Sequence, residues 1–446
     1  MSAGAGAGAD PHAAAVATAG GVADGGLRTA DGRPLKAALA ASGRRARRRA
    51  FLLVAPLLAF VLLTFVAPIG QMLLRSVTDP RFVEHTDRAT GERTPVMVAT
   101  RAWFAENPPG AAPDEAAFAA LAADLAHLRE LRAQGDVGTR VNYDAPGSRS
   151  LFTAGARRAD DLAPPYREAL LALDPGWGDP ALWGAMRQAS SRYTGAFYLA
   201  ALDLGRAPDG SLARAPEERR VYLMLFERTA ILSLAITALA LALGYPVAHL
   251  LATLPLRVSN ILMILVLLPF WTSLLVRTTA WIVLLQQQGV VNDVGVATGL
   301  LDDGSRLSLI YNQTGTIIAM THILLPFAIL PLYSVMRTID PAYGRAARSL
   351  GASSWTAFRR VYLPQTLPGI GAGALLVFIL AVGYYITPAL VGGSSGQLIS
   401  NMIAFHMLDS FNWSLAAALA ALLLAGVLLL YWLYDRLVGL DGLRLG

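Results

Sequence analysis

The residues of this sequence that could act on a solute are a few polar side chains inside long apolar runs. Arg277, Tyr384, Tyr385 and Thr387 are the candidates, since a guanidinium, two phenols and a hydroxyl can line a path for a polar molecule. Aromatic ring faces attract organic cations, although ordinary core packing explains the same tyrosines. A charged arginine at membrane depth is costly, so Arg277 should face protein or water, or extend towards the interface. These four residues form a candidate pathway.

Carboxylates are missing from the same apolar runs, none of which contains Asp or Glu. Carriers driven by protons or sodium need carboxylates at membrane depth to bind the driving ion. A conduit driven by a separate engine is therefore favoured, and an ion-driven carrier or a channel is the alternative. For His249 and His322 the simplest interpretation is a hydrogen bond between helices.

The chain has no recognisable catalytic or nucleotide-binding motif. A P-loop needs a glycine-rich frame that ends in Gly-Lys-Ser/Thr, and the single lysine, Lys36, lies in GRPLKAAL. The HExxH motif is absent, as is cysteine. We therefore expect no enzyme activity, no cofactor and no metal. The formal charge of +6 comes from arginines at the ends of apolar runs, which indicates membrane orientation and not nucleic-acid binding.

The apolar runs themselves predict an all-α membrane protein with six transmembrane helices. Hydrophobic residues make up 54% of the chain and charged residues 15%, whereas soluble domains are about a quarter charged. About 20 apolar residues cross the hydrocarbon core. The runs are 51–74, 229–251, 261–284, 314–333, 367–390 and 413–434. Prolines inside them predict kinked helices packed in a bundle: Pro246, Pro269, Pro326, Pro331 and Pro388.

Arginines in the short loops predict the orientation of these helices. The segments expected in the cytoplasm are arginine-rich: 43–50, 252–260, 336–365 and 435–446. The two short loops expected outside, 285–313 and 391–412, carry only Arg306. The positive-inside rule therefore predicts a multi-pass membrane protein, in contact with lipid, with both termini in the cytoplasm.

We divide the chain into four parts on composition. They are a disordered tail at 1–42, a basic flank and first transmembrane helix at 43–75, an outer (periplasmic) insertion at 76–222 and a five-helix core at 223–446. The insertion is predicted to be mostly helical, with helices at 114–133, 166–173 and 181–204. It is either a structural elaboration near the mouth of the bundle or a docking surface for a solute-binding protein.

The most distinctive stretch is the loop at 337–365, which we call the candidate coupling loop. It predicts a short helix, a turn at Gly351 that other residues resist, and a second short helix ended by Pro364 and Pro368. Apolar side chains line both halves: Ala346, Ala347 and Leu350 before the turn, and Trp355, Phe358 and Leu363 after it. Such a face needs a protein partner to cover it, unless the loop folds back on its own bundle.

This stretch resembles the coupling loop of ABC importer permeases. The signature of that family is Glu-Ala-Ala, three residues, Gly, nine residues, Ile, any residue and Leu-Pro. The matching positions are Ala346, Ala347, Gly351, Val361, Leu363 and Pro364. Arg345 stands where the family has its acidic residue, so any ion pair that the family makes there cannot be assumed. Phe358 completes the set of residues that the resemblance assigns to ATPase coupling.

Other stretches resemble the spermidine/putrescine-type permeases within this family. They are GYPVAHLLATLP, LLPFWTSLLVRTTAWIVLLQQQGVVN, LLPFAILPLYSVMRTIDP and GYYITPALVGG. The resemblance covers the first run and residues 221–446, but neither the tail nor the insertion. Permeases of this group carry polyamines, amino-acid derivatives or ferric iron, so the solute stays open.

The resemblance implies a location in the bacterial inner membrane, a function and a set of partners. The chain would be the transmembrane subunit of an ATP-driven importer, with hydrolysis in a separate pair of ATPase subunits. It would pair with a second, homologous permease subunit and receive solute from a periplasmic binding protein. The loop around Gly351 would transmit closure of the ATPase pair to the helices, so that access alternates.

Overall fold

The computed structural model of the protein describes residues 35–87, 89–207 and 210–438. Most of the predicted tail, and Arg444, therefore lie outside the described residues. The chain divides into two compact units between Gln71 and Met72. Each unit is described by itself.

The first unit is helical throughout its described part and contains most of the first predicted span. Helix α1 runs from Leu35–Val61, a π-helical turn covers Leu62–Val66, and α2 is Ala67–Arg75. Ala50–Arg75 contains an 18-residue stretch with a mean hydropathy of 2.7, and none of that stretch is buried. The predicted helix at 51–74 is therefore confirmed as an apolar helix long enough to span a membrane.

The insertion consists of short helices and two small β-hairpins. Its helices are α3 (Val98–Glu106), α4 (Glu115–Glu130), α5 (Gln134–Asn142), α6 (Ser148–Arg157), α7 (Tyr166–Leu173), α8 (Pro180–Ala189) and α9 (Ala196–Ala201). Strands β1 (Glu84–Thr86) and β2 (Arg93–Pro95) pair antiparallel, as do β3 (Leu204–Arg206) and β4 (Leu212–Arg214). The predicted helix at 181–204 is in fact two helices and a strand, because Ser190–Gly195 leave the helical path.

A hydrophobic core of its own holds the insertion together. The i, i+3/i+4 pattern in α4 places four apolar side chains on the buried face, as predicted: Phe118, Leu121, Leu125 and Leu128. Edge-to-face ring pairs complete the core, with centroids 5.3 Å apart for Phe118–Trp183 and for Phe152–Trp177.

The remaining helices form the apolar core of the second unit. They are α10 (Tyr222–Thr253), α11 (Leu256–Leu267), α12 (Leu274–Leu285), α13 (Val290–Ala297), α14 (Gln313–Thr338), α15 (Pro341–Ser349), α16 (Ser354–Ala357), α17 (Leu363–Gly383), α18 (Ile386–Val391), α19 (Gly393–Gly396), α20 (Ile399–Leu408) and α21 (Trp413–Val438). Within the described residues, five helices are long and apolar enough to span a membrane, or six if a bent pair counts as one span.

Helices α10, α14 and α17 pack against one another at the centre of this core. Small residues allow their backbones to approach closely. A Cβ at Gly369 would lie 3.2 Å from the Pro331 carbonyl oxygen, and one at Gly373 3.3 Å from the Ala328 oxygen. Glycine at these two positions therefore sets the α14–α17 distance.

Two of the predicted spans are not straight helices. The run at 261–284 is split between α11 and α12, which are bent by 93°. The bend follows a 3₁₀ turn at Leu268–Trp271 that contains Pro269, whose carbonyl accepts a hydrogen bond of 2.7 Å from the Thr272 hydroxyl. The run at 367–390 ends early, since α17 stops at Gly383 and the chain restarts as α18.

Candidate coupling loop and transmembrane site

The candidate coupling loop begins with a well-capped short helix. Asp340 is the N-cap of α15, and its Oδ1 accepts a hydrogen bond of 2.8 Å from the Ala342 N–H. Pro341 occupies the first turn, where its missing N–H costs nothing. The sequence Asp-Pro therefore starts a new helix immediately after α14 ends at Thr338.

A Schellman motif ends α15 at the glycine that the sequence singled out. Gly351 has φ +89°, a left-handed conformation that favours glycine. Its N–H donates to the Arg348 carbonyl at 3.0 Å, and the Ala352 N–H donates to the Ala347 carbonyl at 3.1 Å. These are the two bonds of the motif. The predicted turn at Gly351 is thus present in the structure.

Large side chains on both sides of this turn are exposed. Leu350 is 89% exposed, Trp355 67% and Tyr343 57%, and α15 buries no residue. Ala346 is exposed and Ala347 partly so. The first half of the loop is therefore uncovered by the rest of the chain.

The second half of the loop is continuous with the next long helix. Ser353 caps α16, a π-helical turn follows at Phe358–Tyr362, and α17 starts at Leu363. The prediction that Pro364 and Pro368 end the element is wrong. Pro364 lies in the first turn of α17, where a donor is not required, and Pro368 lies inside the helix, which continues to Gly383.

An aromatic ladder connects the loop to helix α10. Trp355 stacks on Phe358 at 5.7 Å between centroids, and Phe358 stacks on Tyr362 at 5.9 Å. The Tyr362 hydroxyl and His249 Nδ1 are 3.0 Å apart and share a hydrogen bond. Tyr245 of α10 meets Phe358 edge-to-face at 6.3 Å. The second half of the loop is thus in contact with α10 through these rings and one hydrogen bond.

Two of the candidate pathway residues, Arg277 of α12 and Tyr384 at the end of α17, lie near each other. Trp281 Nε1 donates to His322 Nδ1 at 3.1 Å, which satisfies that histidine as expected. Arg277, one turn from Trp281, interacts electrostatically with both His322 and Tyr384. Its Nε is buried without a hydrogen-bond partner among the described residues.

The break after α17 is stabilised by polar side chains of α20. The Ser400 hydroxyl donates to the Tyr384 carbonyl at 2.5 Å, and the Asn401 amide donates to the Tyr385 carbonyl at 2.7 Å. Such bonds compensate the backbone that leaves the helix, which membrane interiors require. Tyr385 is 42% exposed, whereas Thr387 is fully buried with its hydroxyl 3.3 Å from that of Thr278.

Sequence reasoning missed the residues that connect these sites to their surroundings. Tyr245 and His249 contact the loop, while Ser400 and Asn401 hold the helix break. The pattern GYPVAH contained a signal for the first pair, since Tyr245 and His249 are spaced i, i+4 and lie on one helix face. No local pattern pointed to the second pair.

Comparisons with known proteins match the apolar core. A family model described as "Binding-protein-dependent transport system inner membrane component" matches residues 240–439. The spermidine/putrescine transport system permease protein PotB of Escherichia coli K12 is 37% identical over 210 residues, which are 46% of this chain and 76% of PotB. PotB of Haemophilus influenzae is 36% identical over 200 residues, covering 45% and 69% of the two chains.

A solved structure also matches the chain. It is the crystal structure of a bacterial alginate ABC transporter in complex with an alginate pentasaccharide-bound periplasmic protein. The identity is 19% and the TM-score 0.39, over 49% of this chain and 78% of the matched one.

Proposed function

Because this chain belongs to the family of binding-protein-dependent transport system inner membrane components, we propose that it is a permease subunit driven by a separate ATPase. Its solute is a polyamine or a similar small organic molecule. The solute class is supported by the two permeases of spermidine and putrescine transport, which are 36–37% identical to this chain.

The main observation behind the proposal is the exposed first half of the candidate coupling loop, which ends at the Gly351 turn. A helix that buries none of its residues, followed by a glycine turn and an exposed tryptophan, is a surface built to be covered by another protein. Arg345, Ala346, Ala347 and Gly351 belong to its first half, and Phe358, Leu363 and Pro364 to its second half. The ATPase subunits would cover it.

Movement of the loop would reach the transmembrane helices through the aromatic ladder. Closure of the ATPase pair displaces α15, and the rings of Phe358 and Tyr362 carry the movement to His249 on α10. Because α10 packs against α14 and α17, the three helices would move as a body. The chemistry stays in the ATPase, so this chain would hold solute and open its path.

The solute would pass the side chains of Arg277, Tyr384 and Tyr385. Arg277 is positively charged, and the apolar runs contain no carboxylate. An organic cation would therefore find no ion-pair partner here. Cation affinity would then come from the periplasmic binding protein, and the tyrosine rings would supply a weaker cation–π contact. A second, homologous permease subunit would complete the path.

We assign the sides of the membrane by the same proposal. The loop at 337–365 and both termini would lie in the cytoplasm, and residues 76–222 outside. The insertion is joined to the apolar core by Asp203, whose carboxylate accepts from the N–H groups of Val221, Tyr222 and Leu223 at 2.9–3.1 Å. A binding protein docked on it would act directly on the outer end of α10.

One experiment tests the proposal against its alternative. The chain is purified with a mild detergent from its host, the copurifying proteins are identified, and the complex is reconstituted in liposomes with labelled spermidine. The proposal expects a P-loop ATPase in the complex and uptake that requires ATP and a binding protein. Uptake by the chain alone, driven by a proton or sodium gradient, would instead support a secondary carrier.

A further inference from the structure

The candidate coupling loop has an unbalanced charge. Between residues 337 and 365 it carries the five arginines Arg337, Arg345, Arg348, Arg359 and Arg360, and a single carboxylate, Asp340. That carboxylate already accepts the Ala342 N–H as the cap of α15. The five arginines and one aspartate therefore give the loop a net charge of +4.

The five arginines fall into three groups by position. Arg337 donates to the Ala252 carbonyl at 2.7 Å and so holds α14 to the end of α10. Arg359 and Arg360 lie near the start of a candidate span, Ser354–Gly383, where arginines contact lipid headgroups. Arg345 and Arg348 remain. They lie on α15, which the Gly351 turn separates from that span.

Arg345 and Arg348 are exposed to solvent and are not covered by the rest of this chain. They are spaced i, i+3, so they lie side by side on one face of α15, and both are exposed. Neither forms an ion pair with another described residue. The contact that Arg348 makes is a long one, 3.4 Å from its Nε to the Gly344 carbonyl within the same helix.

We propose that the surface that receives α15 on the ATPase carries carboxylates opposite Arg345 and Arg348. This inference rests on the proposed function and adds to it the chemistry of the partner. Leu350, 89% exposed at the end of α15, would supply the apolar contact beside the ion pairs. Charge pairs at such an interface select the partner more than they add affinity, since a basic groove would repel this loop.

The composition of the chain makes a direct test possible. Lys36 is its only lysine, so a K36R background contains no side-chain amine. R345K in that background keeps the charge and adds one amine, which a carbodiimide joins to a carboxylate only in direct contact. The matched control is R257K, an exposed arginine on α11. We expect R345K to be joined to an aspartate or glutamate of the copurified ATPase, identified by mass spectrometry, and R257K not to be.

Charge reversal gives the second arm. R345E should weaken retention of the ATPase by roughly thirtyfold or more, because like charges placed opposite each other at an interface repel strongly, and R257E should leave it unchanged. Retention of the wild-type complex should also fall as salt rises. Equal retention by R345E, or an intact complex in which R345K is joined to nothing or to lipid, would overturn the inference. Absence of any ATPase from the wild-type preparation would instead overturn the proposed function.

Discussion

At the scale of single residues, Gly351 is the position of the candidate coupling loop whose backbone favours glycine. Its φ of +89° is strained for any L side chain, yet a Cβ there would touch nothing within 4 Å. A substitution therefore acts through the backbone alone. A β-branched residue should cost about 1–2 kcal/mol, which is a factor of roughly 5 to 30 in the population of the native turn.

Gly351→Val should accordingly uncouple ATP hydrolysis from uptake while the protein stays folded in the membrane. Gly344→Val is the matched control, because Gly344 also has open space around its Cα but ordinary helical geometry. The measurement is labelled solute taken up per ATP hydrolysed in liposomes. Identical ratios for the two variants would contradict a coupling role for this turn.

At the scale of elements, the aromatic ladder is the feature that joins the loop to the bundle. It combines stacked rings within the loop with a hydrogen bond from Tyr362 to His249, 113 residues apart in sequence. A hydrogen bond of this kind contributes about 0.5–1.5 kcal/mol. The ladder therefore resists separation of the loop from α10.

Tyr362→Phe removes that hydrogen bond and keeps the ring. We expect a lower stimulation of ATPase activity by solute-loaded binding protein, because movement of the loop is less tightly tied to α10. Tyr343→Phe is the control, since Tyr343 is an exposed tyrosine of the same loop. Equal stimulation of both variants would show that the ladder is not the route.

At the scale of the whole molecule, the insertion and the apolar core of the second unit are joined by a buried carboxylate. Asp203 is 7% exposed and accepts three backbone N–H groups at the start of α10. Charge there also complements the helix dipole. The insertion therefore supplies the side chain that caps the N-terminus of α10.

Asp203→Ala should lower stability by about 1–2 kcal/mol, as for loss of a strong N-cap. Asp160→Ala should have a smaller effect, because its pair with Arg129 is exposed and such pairs contribute little. Thermal unfolding of the purified protein in detergent, with limited proteolysis of residues 76–222, measures both. An equally small loss of stability in Asp203→Ala and Asp160→Ala would refute this role.

Orientation in the membrane is a second property of the whole molecule. The chain has no cysteine, so Leu350→Cys and Ser150→Cys each create a unique thiol at an exposed site. An impermeant maleimide added to intact spheroplasts should label Ser150→Cys only. Labelling of Leu350→Cys from outside would reverse the proposed topology, and with it the contact to a cytoplasmic ATPase.

Much of the architecture could be predicted because it depends on neighbours in sequence. Apolar runs of about 20 residues must be helices, because a helix satisfies its own backbone hydrogen bonds inside the membrane. The spacing of four apolar residues determines the buried face of α4: Phe118, Leu121, Leu125 and Leu128. The turn at Gly351 was equally local, since a left-handed φ after a short helix requires glycine. The sequence by itself therefore determined the helices, the loop and the permease-like character of the core.

Only the tertiary structure decided how those elements bend and touch. The 93° bend between α11 and α12, the end of α17 at Gly383 and the Tyr362–His249 bond have no periodic signature. The end of α17 and the Tyr362–His249 bond depend on side chains supplied by another helix, such as Ser400 and Asn401 at the helix break. Hydrophobic periodicity indicates which face of a helix is buried. It does not indicate which distant side chain will donate to a carbonyl that has left its helix, because that partner comes into contact only when the chain packs.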